Sequence, residues 1–418
     1  MRKILTAAAI GVLAIAMLTG CRGNAGSSQG VTDDTILIGN TAATSGDLAV
    51  VGVPFNAGLQ AYLDIVNAGG GVHGRQIEFV HHDDGFDPVT GRAFTEALIH
   101  DDQVFAIVGH FGTPTIGATL PMLKEEGIPV VYFAAGISQL RLSGANTPAT
   151  GQRLFPVQPL FEPEGRVLVA RAIDEYNATT VGIIFSNDEA GHDLVSGART
   201  VVNSLGGNVT LVEAQITPAD AGSITPAVLT MYDNNVDVII IATLQGDFPI
   251  VVNRIVAQGL NVPVFTSYVS ASPVTIMGFT ADYLGAGASF PIYTTAWLDI
   301  FAPNGEFTQD YWDFAAGVPA DLAANTFAMA GWVAASTFIQ GLRATDPNDI
   351  TWEGLTRAME TSEINLPMGG IIEFTGGERT GSTSMSLLRA SVTVDAPEWS
   401  PLRPLERLEE TIRRIESR

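Results

Sequence analysis

The sequence predicts an α/β protein of two lobes, each a parallel sheet wound by right-handed crossover helices. Three observations carry that expectation. The chain has 418 residues, more than one ordinary domain holds. Short, continuous apolar runs rich in Val and Ile alternate with longer helical stretches. Such runs, apolar on both faces, mark parallel strands covered by helices. The runs also fall into two sets, and strand starts in the second set lie 28, 27 and 26 residues apart, the length of a strand plus its crossover helix.

The first element is an address rather than part of the fold. Arg2 and Lys3 precede an apolar run from Ile4 to Met17, too short for an ordinary spanning helix. Small residues follow, ending in Leu18-Thr19-Gly20-Cys21, which contains the chain's only cysteine. The layout is that of a secretory signal over residues 1–21. Residues 22–34 open with a stretch rich in Gly, Ser, Asn and Gln and are expected to form a flexible tether. No later stretch reaches 18 unbroken apolar residues.

The strands expected in the first set are Ile36–Ala43, Ile77–Asp83, Phe105–Phe111 and Ile128–Ala135. Those of the second are Val181–Ser186, Val209–Ile216, Val236–Thr243 and Val262–Val269. Between them, Pro54–Val66 puts Phe55, Leu59, Tyr62, Leu63 and Val66 on one helical face and stops at Gly69-Gly70-Gly71. Thr113 before Pro114 has the pattern of an N-cap followed by proline at the first helical position. Asp188–Leu205 ends at Gly206-Gly207, and Asp321–Leu342 is long, nearly uncharged and expected to be largely buried. After Pro401 and Pro404, the spacing of Leu405, Leu408, Ile412 and Ile415 predicts an amphipathic helix over 399–418. Glu409–Arg413 and Glu410–Arg414 are expected as i,i+4 pairs. The helix is expected to strap one lobe, since its seam is under two heptads and too short for a good dimerising coil.

Composition narrows the function. The chain is 46% hydrophobic and 16% charged, so it is not a disordered chain. Its net charge of −23 argues against nucleic acid, whose phosphates want a basic patch. One cysteine excludes a disulfide framework, a Cys-rich zinc site and a CxxC redox pair. HExxH, G-x-S-x-G and GxxxxGK[ST] are all missing, and Lys3 and Lys124 are the only lysines. The sharpest metal lead is His81-His82-Asp83-Asp84, with His73, His100 and His110 nearby. Neighbours on a strand point to opposite faces, so a polar strand end with hydrogen-bonded side chains is the expected reading. No cofactor and no metal are expected.

What remains is binding. In open α/β sheets, ligands sit in the crevice beyond the carboxyl ends of the strands. Phe111-Gly112-Thr113-Pro114-Thr115 runs from a strand into a helix, where backbone N–H groups and the helix dipole favour an anion. Ala134-Ala135-Gly136-Ile137-Ser138 follows the next strand. Two such turns on adjacent strands would cradle a carboxylate; ordinary capping with no ligand is the alternative.

At these residues the chain resembles the substrate-binding proteins of branched-chain amino-acid ABC transporters, the type I periplasmic binding proteins. The matching segments are Ile36–Gly39 with Ser45-Gly46, Asn67–Gly70 with Gly74, Asp83-Asp84 with Asp87-Pro88, Val108–Thr113, Glu126–Pro129 and Ala134-Ala135. Leu18–Cys21 likewise resembles the bacterial lipobox, which implies lipid on Cys21. The resemblance implies a Venus-flytrap architecture: two doubly wound lobes joined by three crossings around a ligand cleft. It puts lobe 1 at 35–154 plus 290–365 and lobe 2 at 155–289 plus 366–398. It also implies an extracytoplasmic, membrane-anchored binder that delivers a small polar ligand to an ABC permease, without catalysis. A ligand-sensing receptor domain of the same fold is the alternative, and a secreted hydrolase the remoter one.

The resemblance assigns the ligand carboxylate to Thr113 and help with the ammonium to the carbonyl of Ala134. Phe111, Gly112, Ala135 and Ser45 belong to the same set. Several positions depart from the family pattern. Gly136 stands where the family has Thr, Val51 replaces an aromatic residue, and Ala190 and Leu244 replace tyrosines. Tyr268 stands where the family keeps the acid that neutralises the ammonium. A buried ammonium without a carboxylate is costly. Either Asp188, Glu189 or Asp247 substitutes, or the ligand lacks an α-ammonium; the expectation is a carboxylate or amide other than leucine, isoleucine or valine, with Phe111 and Tyr268 against a larger apolar group.

Overall fold

A computed structural model describes residues 28–141, 153–301 and 306–416. The signal segment, Cys21 and the start of the tether lie outside the described residues. The first sheet collects β1 (Thr35–Ala42), β2 (Gln76–Asp83), β3 (Ala106–Phe111), β4 (Val130–Ala134) and β5 (Leu154–Phe155), in the order β2-β1-β3-β4-β5. Every pairing in it is parallel. Its crossovers are α1 (Ala49–Ala68), α2 (Pro88–His100) and α3 (Thr113–Glu126). β3 is buried along its whole length, as a strand with helices on both sides must be.

The second lobe follows α4 (Phe161–Tyr176). It contains β6 (Thr180–Ser186), α5 (Glu189–Ser204), β7 (Thr210–Ile216), α6 (Ala221–Asp233), β8 (Val238–Ala242), α7 (Phe248–Ala257), β9 (Val264–Thr266), α8 (Pro273–Gly285) and β10 (Ile292–Ala296). The chain then returns to the first lobe through α9 (Gln309–Gly317), α10 (Thr326–Ala344), α11 (Trp352–Thr361) and the hairpin of β11 (Ile364–Leu366) and β12 (Gly370–Ile372). It crosses back into β13 (Ser384–Ser391), β14 (Glu398–Arg407) and α12 (Leu408–Glu416). The second sheet reads β14-β13-β10-β9-β8-β6-β7, with β13 antiparallel to both neighbours. Two α/β lobes therefore share three crossings, which is the type I periplasmic binding fold.

All eight expected runs are strands, with ends shifted by up to three residues. The helices needed more correction. α1 begins five residues before Pro54 and keeps the proline inside. The ring costs the backbone bond to the carbonyl of Val50, whose residue is solvent-exposed in the first turn. The long uncharged helix starts at Thr326, not at Asp321, because Asn325 caps it by accepting from the N–H groups of Phe327 and Ala328. α1 and α10 pack almost backbone to backbone. A Cβ on Gly58 would come within 1.9 Å of the Ala328 carbonyl, and one on Gly331 within 1.8 Å of the Phe55 carbonyl.

Two boundary expectations fail. Ile292–Ala296, assigned to lobe 1, pairs with β9 and β13 in the second sheet. The stretch after 366 stays with lobe 1 through Arg379, whose guanidinium lies over Phe155 and Phe374 and pairs with Glu360. The expected helix from 399 is also shorter. Residues 398–407 form an edge strand that holds Pro401, Pro404 and Leu405, opposite register shifts in β13. An edge position tolerates proline because one side of the strand needs no donors. Only Leu408–Glu416 is helical. Its Leu408 and Ile415 are buried and the helix packs on α4, while Arg414 reaches Asp174 (3.2 Å) and Glu406 (2.8 Å).

Candidate functional site

The carboxyl ends of both parallel sheets face one another, and the loops they feed enclose a cavity of about 480 Å³. Its first polar corner comes from β3 and α3. The cap of α3 is Gly112 and not Thr113, because the backbone there adopts φ 95°, a conformation glycine reaches without strain. A Cβ at Gly112 would also stand 3.1 Å from the ring of Phe86. Thr113 is thereby the first helical residue, 4% exposed, with its side chain on the cavity. The hydroxyl of Thr113 has no hydrogen-bond partner among the described residues. The N–H groups of Thr113 and Thr115 open the helix, where donors have no acceptor within it.

The walls are aromatic and aliphatic. Val51 and Phe55 come from α1, Phe111 from β3, Tyr132 and Ala134 from β4 with Ala135 after it, and Phe161 from α4. Leu244 and Gln245 follow β8, Tyr268 and Val269 follow β9, and Trp297, Leu298 and Asp299 follow β10. Two bulky wall residues, Phe86 (φ 67°) and Tyr132 (φ 68°), sit in the left-handed region. Such strain persists only where its surroundings over-determine it, and it gathers at functional sites. At Phe86 the surroundings are explicit. Its N–H donates to Asp84 Oδ1 (2.9 Å), and Asp84 Oδ2 accepts from the Thr115 hydroxyl (2.9 Å), so the loop before α2 is tied to the first turn of α3.

Tyr268 presents a ring and not a polar handle. Its hydroxyl donates to the Pro159 carbonyl (2.9 Å) and accepts from Gln158 Nε2 (2.9 Å), while Gln158 Oε1 accepts from the Tyr132 hydroxyl (2.9 Å). The ring stacks with Phe161 at 6.0 Å. Directly behind, Glu164 is fully buried. It accepts from the Tyr268 N–H (2.7 Å) and from the hydroxyls of Ser267 (2.8 Å) and Thr295. Burial pushes its carboxyl up to about 7, against the pull of those three donors.

Of the residues expected at the site, Thr113, Phe111, Gly112, Ala134, Ala135, Val51, Leu244 and Tyr268 line this cavity. Ser45, Gly136 and Asp188 do not. Ser45 is exposed on its loop, with its N–H donated to Asp83 (3.2 Å). Gly136 lies behind Tyr268, where a Cβ would come within 2.6 Å of the Pro159 carbonyl. Asp188 caps α5, accepting from the Gly191 N–H and the Ser186 hydroxyl, both at 2.8 Å. Asp247 is likewise turned away, accepting from the Ala219 N–H (3.0 Å). The carboxylates on the cavity wall are Asp299 and Glu398; burial raises the Asp299 carboxyl, partly offset by the Phe301 N–H.

Sequence reasoning missed Phe86, Gln245 and Asp299. All three follow the carboxyl end of a strand, so the position was a usable signal for the first two. Asp299 required identifying β10 from the β-branched and aromatic run Ile292–Thr295. The histidine cluster resolves into separate bonds. His81 meets Asn40 (3.0 Å) and Thr44 (2.9 Å), His82 meets Asp102 (2.7 Å), and His110 is buried between Thr41 and Thr119. Burial lowers His110 to about 3. Across the cleft the lobes touch where the Ser138 N–H donates to Asp193 (2.6 Å).

Known proteins share this fold. An amino acid binding protein of Pseudomonas aeruginosa is 27% identical over 181 residues, 43% of this chain and 46% of that protein. The match thus spans about half the length of that curated relative. Two solved structures share the fold at low identity. The fatty acid ABC transporter substrate-binding protein from Thermomonospora curvata has a TM-score of 0.75 at 18% identity, covering 92% of this chain and 95% of its own. The solute-binding protein of an ABC transporter from R. palustris, solved in complex with benzoate, has a TM-score of 0.71 at 19% identity, covering 89% and 98%. The family model described as periplasmic binding protein matches residues 35–394, most of the chain and both lobes around the cleft, and the chain belongs to that family.

Proposed function

We propose that this chain is the extracytoplasmic binding component of an ABC importer, held at the membrane by lipid on Cys21, and that its ligand is a carboxylate with a sizeable apolar body. Solute-binding proteins of this family are not enzymes, and the cavity offers a binding surface. The observation that carries the reading is the contrast between one polar corner and the walls around it. Thr113 and the start of α3 supply unpaired donors suited to a carboxylate. Val51, Phe55, Phe86, Phe111 and the Tyr268 ring supply apolar contact. At the position expected to hold an ammonium stands Tyr268, whose hydroxyl is already taken. The names of the R. palustris and Thermomonospora curvata neighbours, a benzoate complex and a fatty acid binder, support the ligand class. The amino acid binder of Pseudomonas aeruginosa supports the transport role.

Ligand capture works by hinge closure. A ligand that touches both Thr113 in one lobe and Gln245 in the other binds the closed state better and shifts the equilibrium toward it. Calorimetry on refolded, ligand-stripped protein tests the ligand class with benzoate and leucine. Benzoate binding that is tighter than leucine binding supports it. Submicromolar leucine with a much weaker response to its des-amino analogue overturns it.

A further inference from the structure

The cavity is larger than a carboxylate with a single ring requires. A dry cavity of about 150 Å³ already accommodates benzene, and this one holds about 480 Å³. We infer that the cleft continues into an apolar trough that takes the alkyl tail of a long-chain carboxylate, the head group resting at Thr113. The inference rests on the reading under Proposed function and names the ligand class within it.

The surplus volume has a direction. Across the second sheet, in the order β9, β10, β13, β14, the lining is Val269 and Ala271, then Trp297 and Leu298, then Leu388, then Trp399, Pro401 and Leu402, with Phe327 and Met329 of α10 on the same cavity. These elements were not part of the sequence-derived site; of the hydroxyls they bring, that of Ser386 is donated to the Ala296 carbonyl (3.1 Å) and that of Thr326 lines the cavity. Pro401 and Pro404 have no N–H, so the edge strand lacks donors at both positions. The Trp399 indole N–H is donated to the Ser272 carbonyl (3.1 Å). Among the charged groups on this part of the wall, Arg403 is paired with Glu175 (2.7 and 3.1 Å). The Asp299 carboxyl accepts from the Phe301 N–H and is pushed toward its neutral form by burial. Glu398 stands exposed at the far end of β14.

Some apolar surface stays accessible along this lining, although Leu298 and Leu388 also pack against the cores behind them. Leu402 is 41% exposed, and Leu298 and Leu388 are only half-buried. In a folded protein, an apolar surface continuous with a ligand cleft marks where a ligand covers it. The unpaired donors of Thr113 and the start of α3 line the same cavity from the first lobe, so the matching ligand is an amphiphile: one carboxylate and a flexible hydrocarbon tail.

Chain length is the discriminating variable. Ligand-stripped protein is titrated with hexanoate, decanoate and myristate below their aggregation concentrations, beside benzoate and tetradecanol. Each CH₂ buried in the trough should tighten binding roughly fourfold, so decanoate should exceed hexanoate by roughly a hundredfold or more. Leu402→Glu puts a charge at the edge of the trough and should lower the myristate-to-hexanoate affinity ratio at least tenfold. Equal affinity for hexanoate, decanoate and myristate, with benzoate still bound, overturns the trough and leaves the carboxylate reading standing. A length dependence shared equally by tetradecanol keeps the trough and overturns the carboxylate head. Failure of every probe to bind overturns both.

Discussion

Glu164 makes stability fall as pH rises, in a window set by its burial. The side chain is fully enclosed in the first turn of α4 and fastens three segments around the cleft: α4 itself, the Ser267-Tyr268 turn and β10 through Thr295. Desolvation lifts its carboxyl from 4.5 to about 7. The folded chain thus binds a proton that the unfolded chain releases between those two values. The resulting stabilisation is fully present below pH 4.5 and is lost as pH rises through 7. A gap of about two and a half pKa units at about 1.36 kcal/mol each corresponds to about 3 kcal/mol. Glu164→Gln removes the titration and keeps the shape. Its amide oxygen can accept from the Tyr268 N–H and the Thr295 hydroxyl, and its NH₂ can donate to the Ser267 hydroxyl, which rotates to accept. Urea unfolding of both proteins at half-unit steps from pH 5 to 8 isolates the effect, because other groups cancel in the difference. The wild type should lose about 2.5 kcal/mol relative to the variant across that range. Parallel stability curves would refute the argument, since they would mean that Glu164 titrates alike folded and unfolded.

Thr113→Ala should weaken a carboxylate probe such as benzoate roughly ten- to hundredfold by calorimetry, the equivalent of about 1.5–3 kcal/mol for one charge-assisted hydrogen bond. Its melting temperature should not move, because the hydroxyl has no partner among the described residues to lose; unaltered affinity would remove Thr113 from the site. Gly331→Val forces a side chain into the Phe55 carbonyl across the α1–α10 contact. Overpacking against backbone should lower the melting temperature by roughly 5–10 °C, and a wild-type value in differential scanning fluorimetry would contradict the close approach. Under the proposed lipidation, Cys21→Ala should shift the protein from the membrane to the soluble fraction or block processing of the leader in its host; unchanged size and fractionation would count against it.

The strand pattern was legible because each buried parallel strand must be apolar on both faces, whatever its neighbours. Val236–Thr243 and Val181–Ser186 carry that mark without reference to any other part of the chain. The strands that escaped notice, β5 and β10 to β14, are short or lie at and near an edge. There Pro401 and Pro404 are locally turn-like, and only the missing neighbour on one side of β14 makes them tolerable. The site divides the same way. Phe111-Gly112-Thr113 advertised itself because a strand running into a helix exposes donors by geometry alone. Its neighbours across the cleft did not.

The sequence by itself determined the fold class, the eight parallel strands that begin the two lobes, and the donors at the start of α3, because these depend on periodicity and on backbone donors that any reader can count. Only the tertiary structure decided what those donors face. Tyr268 reads as a free hydroxyl in the sequence, yet Gln158, 110 residues earlier, takes it. Asp188 reads as a spare charge, yet the N–H of Gly191 takes it. The residues that give the cavity its size, from Phe86 to Trp399, converge from both lobes and both chain directions. A hydrogen bond or a shared wall between distant residues is a property of the packed chain, and no local pattern encodes it.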